Sequence, residues 1–587
     1  MIDSELKSRY DVVIVGGGLA GLALARHLLL DTDKTILLVE RKSELPPKRQ
    51  KVGESSVQVA GFYYGRVLEL EEYLWLHQFM KYNLRFYWKS GGRDNTRFED
   101  YGQSFIRPFS NIPSYQLDRN TFEGELLRRN LEEARFTLRL GIKDLETDLA
   151  ETFAAGPHAV RFKSAAGEAA VAADWVVDTS GRGKFLAKTR KLERRNAIRH
   201  GAFFWWVEGL VDVDRLTDLP YREIRKKPER RFQGHLPSWL ATNHFCAPGL
   251  WFWVIPLQGK TSLGLVFDKE VVPFTYEEVG SVAKATKWVL ENFPCFARDL
   301  PHRKVLDFGG LRDYSHDCAQ TINPARWALA GEAGRFTDPL YSPGSDLISI
   351  YNTLIVDAIK TGDAGELAGK CQVHEQLMRA VYQAYVPTYA TSYDALGDQE
   401  VFSLKYTWEL TIYFGFYVFP FINDLFTDRR FAIAFLRHFS RLGPLNQTMQ
   451  SFLSAYFRWR QEHRTAPEEP IFYDFMNVGS LRAAEKTFYE VGVSVAEAKK
   501  VLAEQLANVE ELARFTAAHV ASVVVDDERA LTSRAFVEGL DVDALRFHPE
   551  AFRALHERTV GAEGTYEWSF DPSVLAPFRK AAAMEMA

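Results

Sequence analysis

The apolar residues among the first 40 positions follow two patterns, short continuous runs typical of strands and a helical spacing between them. Residues 11–15 (DVVIV) and 35–39 (TILLV) are short β-branched runs of the kind that forms buried strands. Between them, residues 22–30 repeat apolar positions at helical spacing. The pattern therefore predicts a strand, a helix and a second strand that pair in parallel as a βαβ unit.

Two later stretches are rich in aromatic and β-branched residues. Residues 83–113 and 199–302 contain runs such as NLRFYW, AFFWWVEG and TSLGLVF. Runs of this composition predict strands. We expect them to form a second sheet that is inserted between segments of the first.

After about residue 360 the apolar positions recur every three or four residues, which predicts helices. The clearest of these segments are 374–390, 400–417 and 428–439. Residues 494–520 are rich in Ala, Glu and Leu and predict a more solvated helix. We therefore divide the chain into residues 1–360, with the inserted sheet, and a helical region over residues 361–587.

The most aromatic run of the chain, residues 402–421, lies in this helical region. A buried core helix is the plain interpretation, and a segment that closes a site or docks a partner is the alternative. The uncharged stretch 410–423 has 14 residues and contains Pro420. It is too short to cross a bilayer, so we expect no integral membrane segment.

The turn between the first strand and helix has the GxGxxG spacing, with Gly16, Gly18 and Gly21. Gly16 allows a tight turn, Gly18 lets the backbone approach a diphosphate, and Gly21 lets helix and strand pack closely. The first helical N–H groups, near Leu19 and Ala20, then face the diphosphate. Glu40 lies 22 positions after Gly18, where an acidic residue accepts hydrogen bonds from ribose hydroxyls. Together these features predict a dinucleotide site.

Composition narrows the function classes further. The chain has 587 residues and a formal net charge of −5, which argues against a nucleic-acid partner. Its four cysteines have no CxxC spacing, so we expect no metal site and a reducing, cytoplasmic location.

Three further segments resemble the FAD-binding flavoprotein monooxygenases. Residues 116–127 (QLDRNTFEGELL) are similar to a signature in which an arginine, here Arg119, approaches the flavin. Residues 176–182 (VVDTSGR) and 327–334 (WALAGEAG) resemble two segments that return to the flavin, the second with Glu332 at a position that is usually Asp. The resemblance implies that FAD is the dinucleotide and that Arg41, after Glu40, also contacts it. A second GxGxxG for a nicotinamide cofactor is absent, so we expect reduced FAD to come from a separate reductase.

Two motifs are typical of the flavin-dependent halogenases within that superfamily. Residues 251–256 (WFWVIP) match WxWxIP, which in the family separates flavin from substrate, and residues 336–344 (FTDPLYSPG) match FxxPxxSxG. An aromatic core strand and an ordinary loop would give similar patterns. The resemblance assigns separation to Trp251, Trp253, Ile255 and Pro256, flavin contact to Pro339 and Gly344, and a catalytic role to Ser342.

Lys81 resembles the essential lysine of this family, because it precedes Phe86 by five residues and follows residues 52–56 (VGESS). This segment resembles the family's GE-containing flavin loop, which implies that Ser55 contacts the flavin. The family implies that reduced FAD, O2 and chloride or bromide form hypohalous acid. A desolvated lysine can hydrogen-bond this acid or form a haloamine that reaches the substrate. A solvated lysine at a strand edge is the alternative interpretation.

The chain departs from the family at two positions. Tyr341 stands where tryptophan halogenases have a glutamate base, which favours a phenol, pyrrole or carrier-bound acyl substrate over free tryptophan. Pro343 has no N–H, so of the backbone donors that hold halide in the family only Gly344 and Ser345 remain.

We expect an α/β fold that combines a Rossmann-type FAD-binding domain, an inserted antiparallel substrate-binding sheet and a helical C-terminal region. Because Pro343 departs from the family pattern, a halogenase-like monooxygenase or dehydrogenase without a halide step remains the alternative function. A carrier-docking or membrane-associated protein with a vestigial flavin site is the third hypothesis.

Overall fold

The computed structural model describes residues 6–224, 236–463, 467, 469–542 and 544–583. The strands over these ranges are β1 Arg9–Val15, β2 Ile36–Glu40, β3 Phe79–Met80, β4 Leu84–Lys89, β5 Tyr101–Phe105, β6 Tyr115–Gln116, β7 Phe136–Leu140, β8 Lys143–Asp148, β9 His158–Ser164, β10 Gly167–Asp178, β11 Glu193–Arg194, β12 His200–Glu208, β13 Thr242–Ala247, β14 Leu250–Leu257, β15 Lys260–Asp268, β16 Val305–Leu311, β17 Asp317–Cys318, β18 Ile322–Asn323, β19 Trp327–Leu329 and β20 Phe472–Tyr473.

The α-helices are α1 Leu19–Asp31, α2 Gln58–Phe62, α3 Glu71–His77, α4 Arg119–Leu131, α5 Phe185–Thr189, α6 Tyr221–Ile224, α7 Tyr276–Val279, α8 Val282–Asn292, α9 Pro343–Ile359, α10 Ala364–Ala390, α11 Gln399–Tyr413, α12 Phe419–Ile422, α13 Arg429–His463, α14 Gly479–Lys486, α15 Val495–Val524, α16 Arg534–Glu538, α17 Pro549–Thr559 and α18 Ala576–Ala583. Two π-helical turns, Tyr63–Val67 and Phe414–Val418, interrupt this series.

The first sheet is built around the predicted βαβ unit. Strands β7, β2, β1, β10 and β19 are neighbours in that order and pair in parallel, because their connections cross the faces of the sheet. Helix α1 packs against α4 and α9. The α/β class and the Rossmann-type arrangement predicted for this part are confirmed.

The second sheet has the order β16-β12-β15-β14-β13-β4-β5-β20. The pairs from β16 to β13 and the pair β4–β5 are antiparallel, as expected, but β4 pairs with β13 in parallel, and so does β5 with β20. Strands β16 and β20 lie outside the predicted insert. The sheet is thus predominantly antiparallel, with two parallel pairs between strands that are distant in sequence.

The helical region packs as a bundle in which α13 contacts both α10 and α15. The predicted solvation of α15 is wrong over its second half, because every residue from 515 to 524 is buried. Small and apolar residues there let α15 pack closely against α13 and the 3-10 turn that follows it. Among the described residues, no helix is both long and apolar enough to cross a membrane. The division of the chain at residue 360 stays a prediction.

Candidate active site

The glycine loop between β1 and α1 combines tight protein packing with one open position. Gly16 has φ +112°, a conformation that favours glycine, and a Cβ on Gly21 would lie 2.1 Å from the Gly16 carbonyl oxygen. Thr179, which follows β10, fixes the turn by donating its hydroxyl to the Gly16 oxygen at 2.8 Å. A Cβ on Gly18 would meet no atom within 4 Å. The loop therefore leaves space above Gly18, which fits the diphosphate of a dinucleotide.

Glu40 ends β2 beside this loop. Its carboxylate accepts hydrogen bonds from the backbone N–H of Gly17 at 2.8 Å and of Lys42 at 2.9 Å. Leu19 and Ala20 form the first turn of α1, and Arg41 is exposed next to Glu40. The structure holds the Glu40 carboxylate beside the glycine loop, and contact of these residues with a dinucleotide stays a prediction.

Two of the other predicted flavin contacts, Arg119 and Glu332, lie on separate elements. Arg119, the first residue of α4, is ion-paired with Glu123 at 2.5 Å and donates to the Val52 carbonyl at 3.0 Å. Glu332 lies in a 3-10 turn after β19, with 39% of its side chain exposed and Arg182 3.8 Å away. Both positions are compatible with the predicted flavin contact, which stays a prediction.

Lys81 is buried rather than solvated, with 4% of the residue exposed. Its Nζ donates to the Ser55 hydroxyl at 3.1 Å and to the Ser56 carbonyl oxygen. Burial lowers the pKa of Lys81 to about 7, and the Asp346 carboxylate partly opposes this change. The loop with Ser55, also predicted from the sequence, thus contacts the lysine directly.

Lys81 lines a cavity of about 310 Å³. The predicted aromatic run contributes one wall, since Tyr406, Tyr413 and Tyr417 of α11 and the following π-helical turn face the cavity. The lining is mostly apolar, and the volume suits a small organic ligand. The run is therefore both a buried core segment and part of a pocket wall.

The FxxPxxSxG residues form the turn that leads into α9. A Cβ on Gly344 would lie 3.2 Å from the Phe336 ring, and the Ser342 N–H donates to the Pro339 oxygen at 2.9 Å. Ser342 has φ +60° and precedes α9 without a side-chain capping bond. The motif residues therefore set the entry of the chain into the helix.

Helix α9 begins at Pro343, so Gly344 and Ser345 lie in its first turn. The first N–H groups of a helix have no partner within it and carry a partial positive charge. Asp346, in the same turn, is buried and accepts a hydrogen bond from the Ala60 N–H at 2.9 Å. Burial raises the pKa of Asp346 to about 7.

The WxWxIP residues lie on β14 in the second sheet. Trp251 and Trp253 are buried with ring centroids 5.6 Å apart, as expected for positions i and i+2 on one face. Their indole N–H groups donate to the Tyr393 hydroxyl at 2.6 Å and to the Ser262 hydroxyl at 3.1 Å. Neither indole is among the described residues that line the cavity of Lys81, nor are Ile255 and Pro256. Separation of flavin from substrate stays a prediction for these four residues.

A buried carboxylate joins the two motifs. Asp338, within FTDPLYSPG, accepts hydrogen bonds from the hydroxyls of Tyr314 at 2.6 Å and Tyr393 at 3.0 Å, and Tyr393 also receives the Trp251 indole N–H. The His200 ring lies 2.6 Å from the same carboxylate. Burial alone would lower the pKa of His200, but the carboxylates of Asp338 and Asp268 raise it.

Sequence reasoning missed three carboxylates: Asp338, Asp346 and Glu409. Glu409 lines the cavity of Lys81 and forms an ion pair with Lys405, one helical turn earlier in α11. The signal was present, because an i, i+4 Lys–Glu pair in the most aromatic run of a chain is seldom a solvated pair.

No family model matches the chain. It is 24% identical over 458 residues to the flavin-dependent halogenase chlA of Dictyostelium discoideum, a match that covers 73% of this chain and 74% of that protein. It is 26% identical over 425 residues to a 1H-pyrrole-2-carbonyl peptidyl-carrier-protein brominase of Pseudoalteromonas luteoviolacea, covering 70% of this chain and 89% of that one.

The solved structure of halogenase PltM in complex with phloroglucinol and FAD has the same fold. The TM-score is 0.57 at 18% identity, over 86% of this chain and 96% of PltM. In its motifs, its curated relatives and its fold, this chain is similar to the flavin-dependent halogenases, a group of FAD-dependent oxidoreductases.

Proposed function

We propose that this protein uses reduced FAD, O2 and halide to halogenate an electron-rich aromatic substrate in the cavity that Lys81 lines. The observation that carries the proposal is a buried lysine with a pKa near 7 on the wall of a pocket of about 310 Å³. An uncompensated buried lysine is costly, so it is seldom kept for structure alone. Of the two curated relatives named above, one is a flavin-dependent halogenase and the other is a brominase of a carrier-bound pyrrole.

FAD would be held by Gly16, Gly18 and Gly21 at its diphosphate and by Glu40 at its ribose. Reduced by a separate reductase, it would supply the two electrons that convert O2 and halide to hypohalous acid and water. We propose that Trp251 and Trp253 keep this chemistry apart from the substrate, so that halogen rather than oxygen is transferred.

Lys81 would hold or carry the electrophilic halogen. In its neutral form the amine has two N–H groups, which match the two acceptors offered by Ser55 and Ser56. The lone pair is then free to take the halogen with release of water. The ammonium form, present in comparable amount near pH 7, can instead donate a hydrogen bond to hypohalous acid.

Halide would bind at the first turn of α9. The N–H groups of Gly344 and Ser345 and the positive end of the helix favour an anion there, after the turn formed by Ser342. Pro343 supplies no donor, so we propose weak halide affinity. The same observation favours the second candidate function, a flavin monooxygenase or dehydrogenase without a halide step.

Some further assignments are also proposals. We propose that residues 1–360 bind FAD and that residues 361–587 complete the substrate cavity. We also propose a cytoplasmic location, which agrees with four free, buried cysteines.

A halide-dependence assay tests the proposed function. Purified protein, chemically reduced FAD and O2 are mixed with a hypohalous-acid trap, with and without bromide or chloride. We expect halogenated trap that requires both protein and halide. Hydrogen peroxide alone at high halide, or an oxygenated product, would instead support the second function.

Lys81→Ala tests the role of the lysine in substrate halogenation. We expect substrate halogenation to fall at least about 100-fold, whereas oxygen consumption by reduced FAD continues, because the lysine acts after hypohalous acid forms. Lys89→Ala, at the exposed end of β4, is the matched control and should retain the wild-type rate. An unchanged rate in a folded Lys81→Ala protein would remove the lysine from the mechanism.

A further inference from the structure

Helix α2 begins without a capping side chain of its own. Its N-cap residue is Val57, which has no side-chain acceptor for the N–H groups of the first turn. The Val59 N–H instead donates to the Tyr413 hydroxyl at 3.1 Å. The Ala60 N–H donates to Asp346 Oδ1 at 2.9 Å. The first turn of α2 is therefore capped by side chains that belong to α11 and α9.

The two capping side chains are bonded to each other. Both residues are buried. Burial raises the pKa of Asp346 to about 7, and a hydrogen bond from the Tyr413 hydroxyl partly opposes this change. Asp346 thus joins the first turn of α9 to α2 and, through Tyr413, to the wall of the cavity.

Helix α2 in turn determines where Lys81 lies. Ser55 and Ser56, whose oxygens accept hydrogen bonds from Lys81 Nζ, directly precede the N-cap residue of α2. A Cβ on Gly61 of α2 would lie 2.1 Å from the carbonyl oxygen of the residue before Ser114, so the helix packs directly on this loop. The Ser114 carbonyl accepts the backbone N–H of Lys81 at 2.8 Å. A displacement of α2 would therefore move the partners of both the side chain and the backbone of the lysine.

The charge of Asp346 also acts on Lys81. Burial lowers the pKa of His244, on β13, to about 3, so this ring is neutral near pH 7. The carboxylates of the cavity wall are Glu409, which is ion-paired within α11, and Glu485. Of these described groups, Asp346 is the one that raises the pKa of Lys81 against the larger effect of burial. Burial raises the pKa values of the tyrosines in the wall, which are therefore neutral near pH 7: Tyr82, Tyr341, Tyr385, Tyr406, Tyr413 and Tyr417.

We propose that Asp346 is a positioning residue for halogenation, which anchors the first turn of α2 from α9 and so holds the Lys81 amine in place at the cavity. The proposal rests on the proposed function. Asp346 is not among the described residues that line the cavity, so it acts through α2 and not on a substrate. It lies four residues after Ser342, not at the position of the glutamate base of the tryptophan halogenases, and it transfers no proton.

Asp346→Asn removes the charge and keeps an oxygen that can accept the Ala60 N–H. Without the carboxylate, Lys81 loses its proton more easily, so we expect its titration midpoint to fall by about 0.5 to 1 pH unit. Competitive acetylation with acetic anhydride measures this midpoint, because only the neutral amine reacts, and mass spectrometry quantifies the Lys81 peptide. The measurement needs neither FAD nor halide. Lys89, at the exposed end of β4, is the reference and should not shift.

Asp346→Ala removes the anchor as well as the charge. We expect hydrogen–deuterium exchange of the α2 amides to become at least about fivefold faster, the effect of a lost helix cap. We expect kcat for halogenation at saturating halide to fall at least about tenfold, because the amine is displaced from its reacting position. Asp363→Ala is the matched control, since exposed Asp363 caps α10 by accepting the Glu366 N–H at 2.8 Å. It should leave α2 exchange and the Lys81 midpoint unchanged.

The proposal is overturned by an unchanged Lys81 midpoint in Asp346→Asn or by wild-type α2 exchange in Asp346→Ala. A wild-type Lys81 that is not acetylated at any pH would also overturn it. If Asp346→Ala does not fold, Asp346→Asn decides by its midpoint. If the wild type makes no hypohalous acid but the midpoint shifts, the halogenase function fails and Asp346 still positions Lys81. Halogenation without the shift leaves the proposed function in place and removes Asp346 from it.

Discussion

Proline at position 343 determines how many backbone donors the first turn of α9 offers. Its ring suits the first helical position, where a missing N–H breaks no intrahelical bond. The same ring removes one donor from the place where the family binds halide. A substitution that is favourable for the helix is therefore unfavourable for an anion at its end.

Pro343→Ala should strengthen halide binding. The restored N–H can donate to the anion, and a hydrogen bond to a charged group contributes about 1.5 kcal/mol, or roughly tenfold in affinity. We expect the KM for bromide or chloride to fall about tenfold with kcat unchanged, measured by halide titration of the trap assay. An unchanged KM would place the halide away from α9.

At the scale of the element, Gly18 and Gly21 of the glycine loop are glycines for different reasons. Gly21 is required by the packing of α1 on β1, because a side chain there would collide with the Gly16 carbonyl and the Thr179 hydroxyl. Gly18 has φ −86° and ψ −174°, which any residue adopts, and a Cβ there would touch no protein atom. The protein alone does not explain a glycine at position 18, whereas an approaching diphosphate does.

Gly18→Ala and Gly21→Ala should therefore fail in different ways. We expect Gly18→Ala to melt like the wild type but to bind FAD at least about tenfold more weakly, as measured by flavin fluorescence titration. Gly21→Ala should lower the stability by about 1–3 kcal/mol through overpacking, measured by denaturant unfolding. Wild-type FAD affinity in Gly18→Ala would contradict the proposed diphosphate site.

At the scale of the whole molecule, Asp338, in the turn before α9, connects the second sheet with the helical region. Its partners are His200 on β12, Tyr314 after β16, and Tyr393, which follows α10 and binds the Trp251 indole. The pKa of His200 is raised in the folded protein, so the charged pair stabilises the fold fully below pH about 6.5, the unfolded value. That contribution is lost as pH rises through the folded pKa.

Asp338→Asn should destabilise the protein by about 3 kcal/mol, because it leaves a buried histidine without its counter-ion. We expect the loss to be largest at pH 6 and smaller at pH 8, as measured by denaturant unfolding at both values. Asp313→Asn, at a side chain that is 68% exposed, is the control and should change little. Equal losses at both pH values would mean that His200 is neutral in the native state.

Local patterns determined much of the nucleotide-binding half from the sequence alone. The βαβ unit, the glycine turn and Glu40 follow from periodicity and turn chemistry within 40 residues, and neighbours in sequence are there neighbours in space. The aromatic strands of the second sheet and the long helices were predicted for the same reason. The sequence motifs also singled out Lys81 and the turn before α9.

Only the tertiary structure decided what these residues face. The strands of the parallel pairs β4–β13 and β5–β20 are far apart in the chain, and no local pattern specifies their register. The burial of Lys81, the partners of Asp338 and the place of Glu409 in the same pocket as Tyr341 depend on how separate elements pack together. Charge and hydrogen-bonding state are set by the surroundings of a side chain, and for this site those surroundings come from elements hundreds of residues apart.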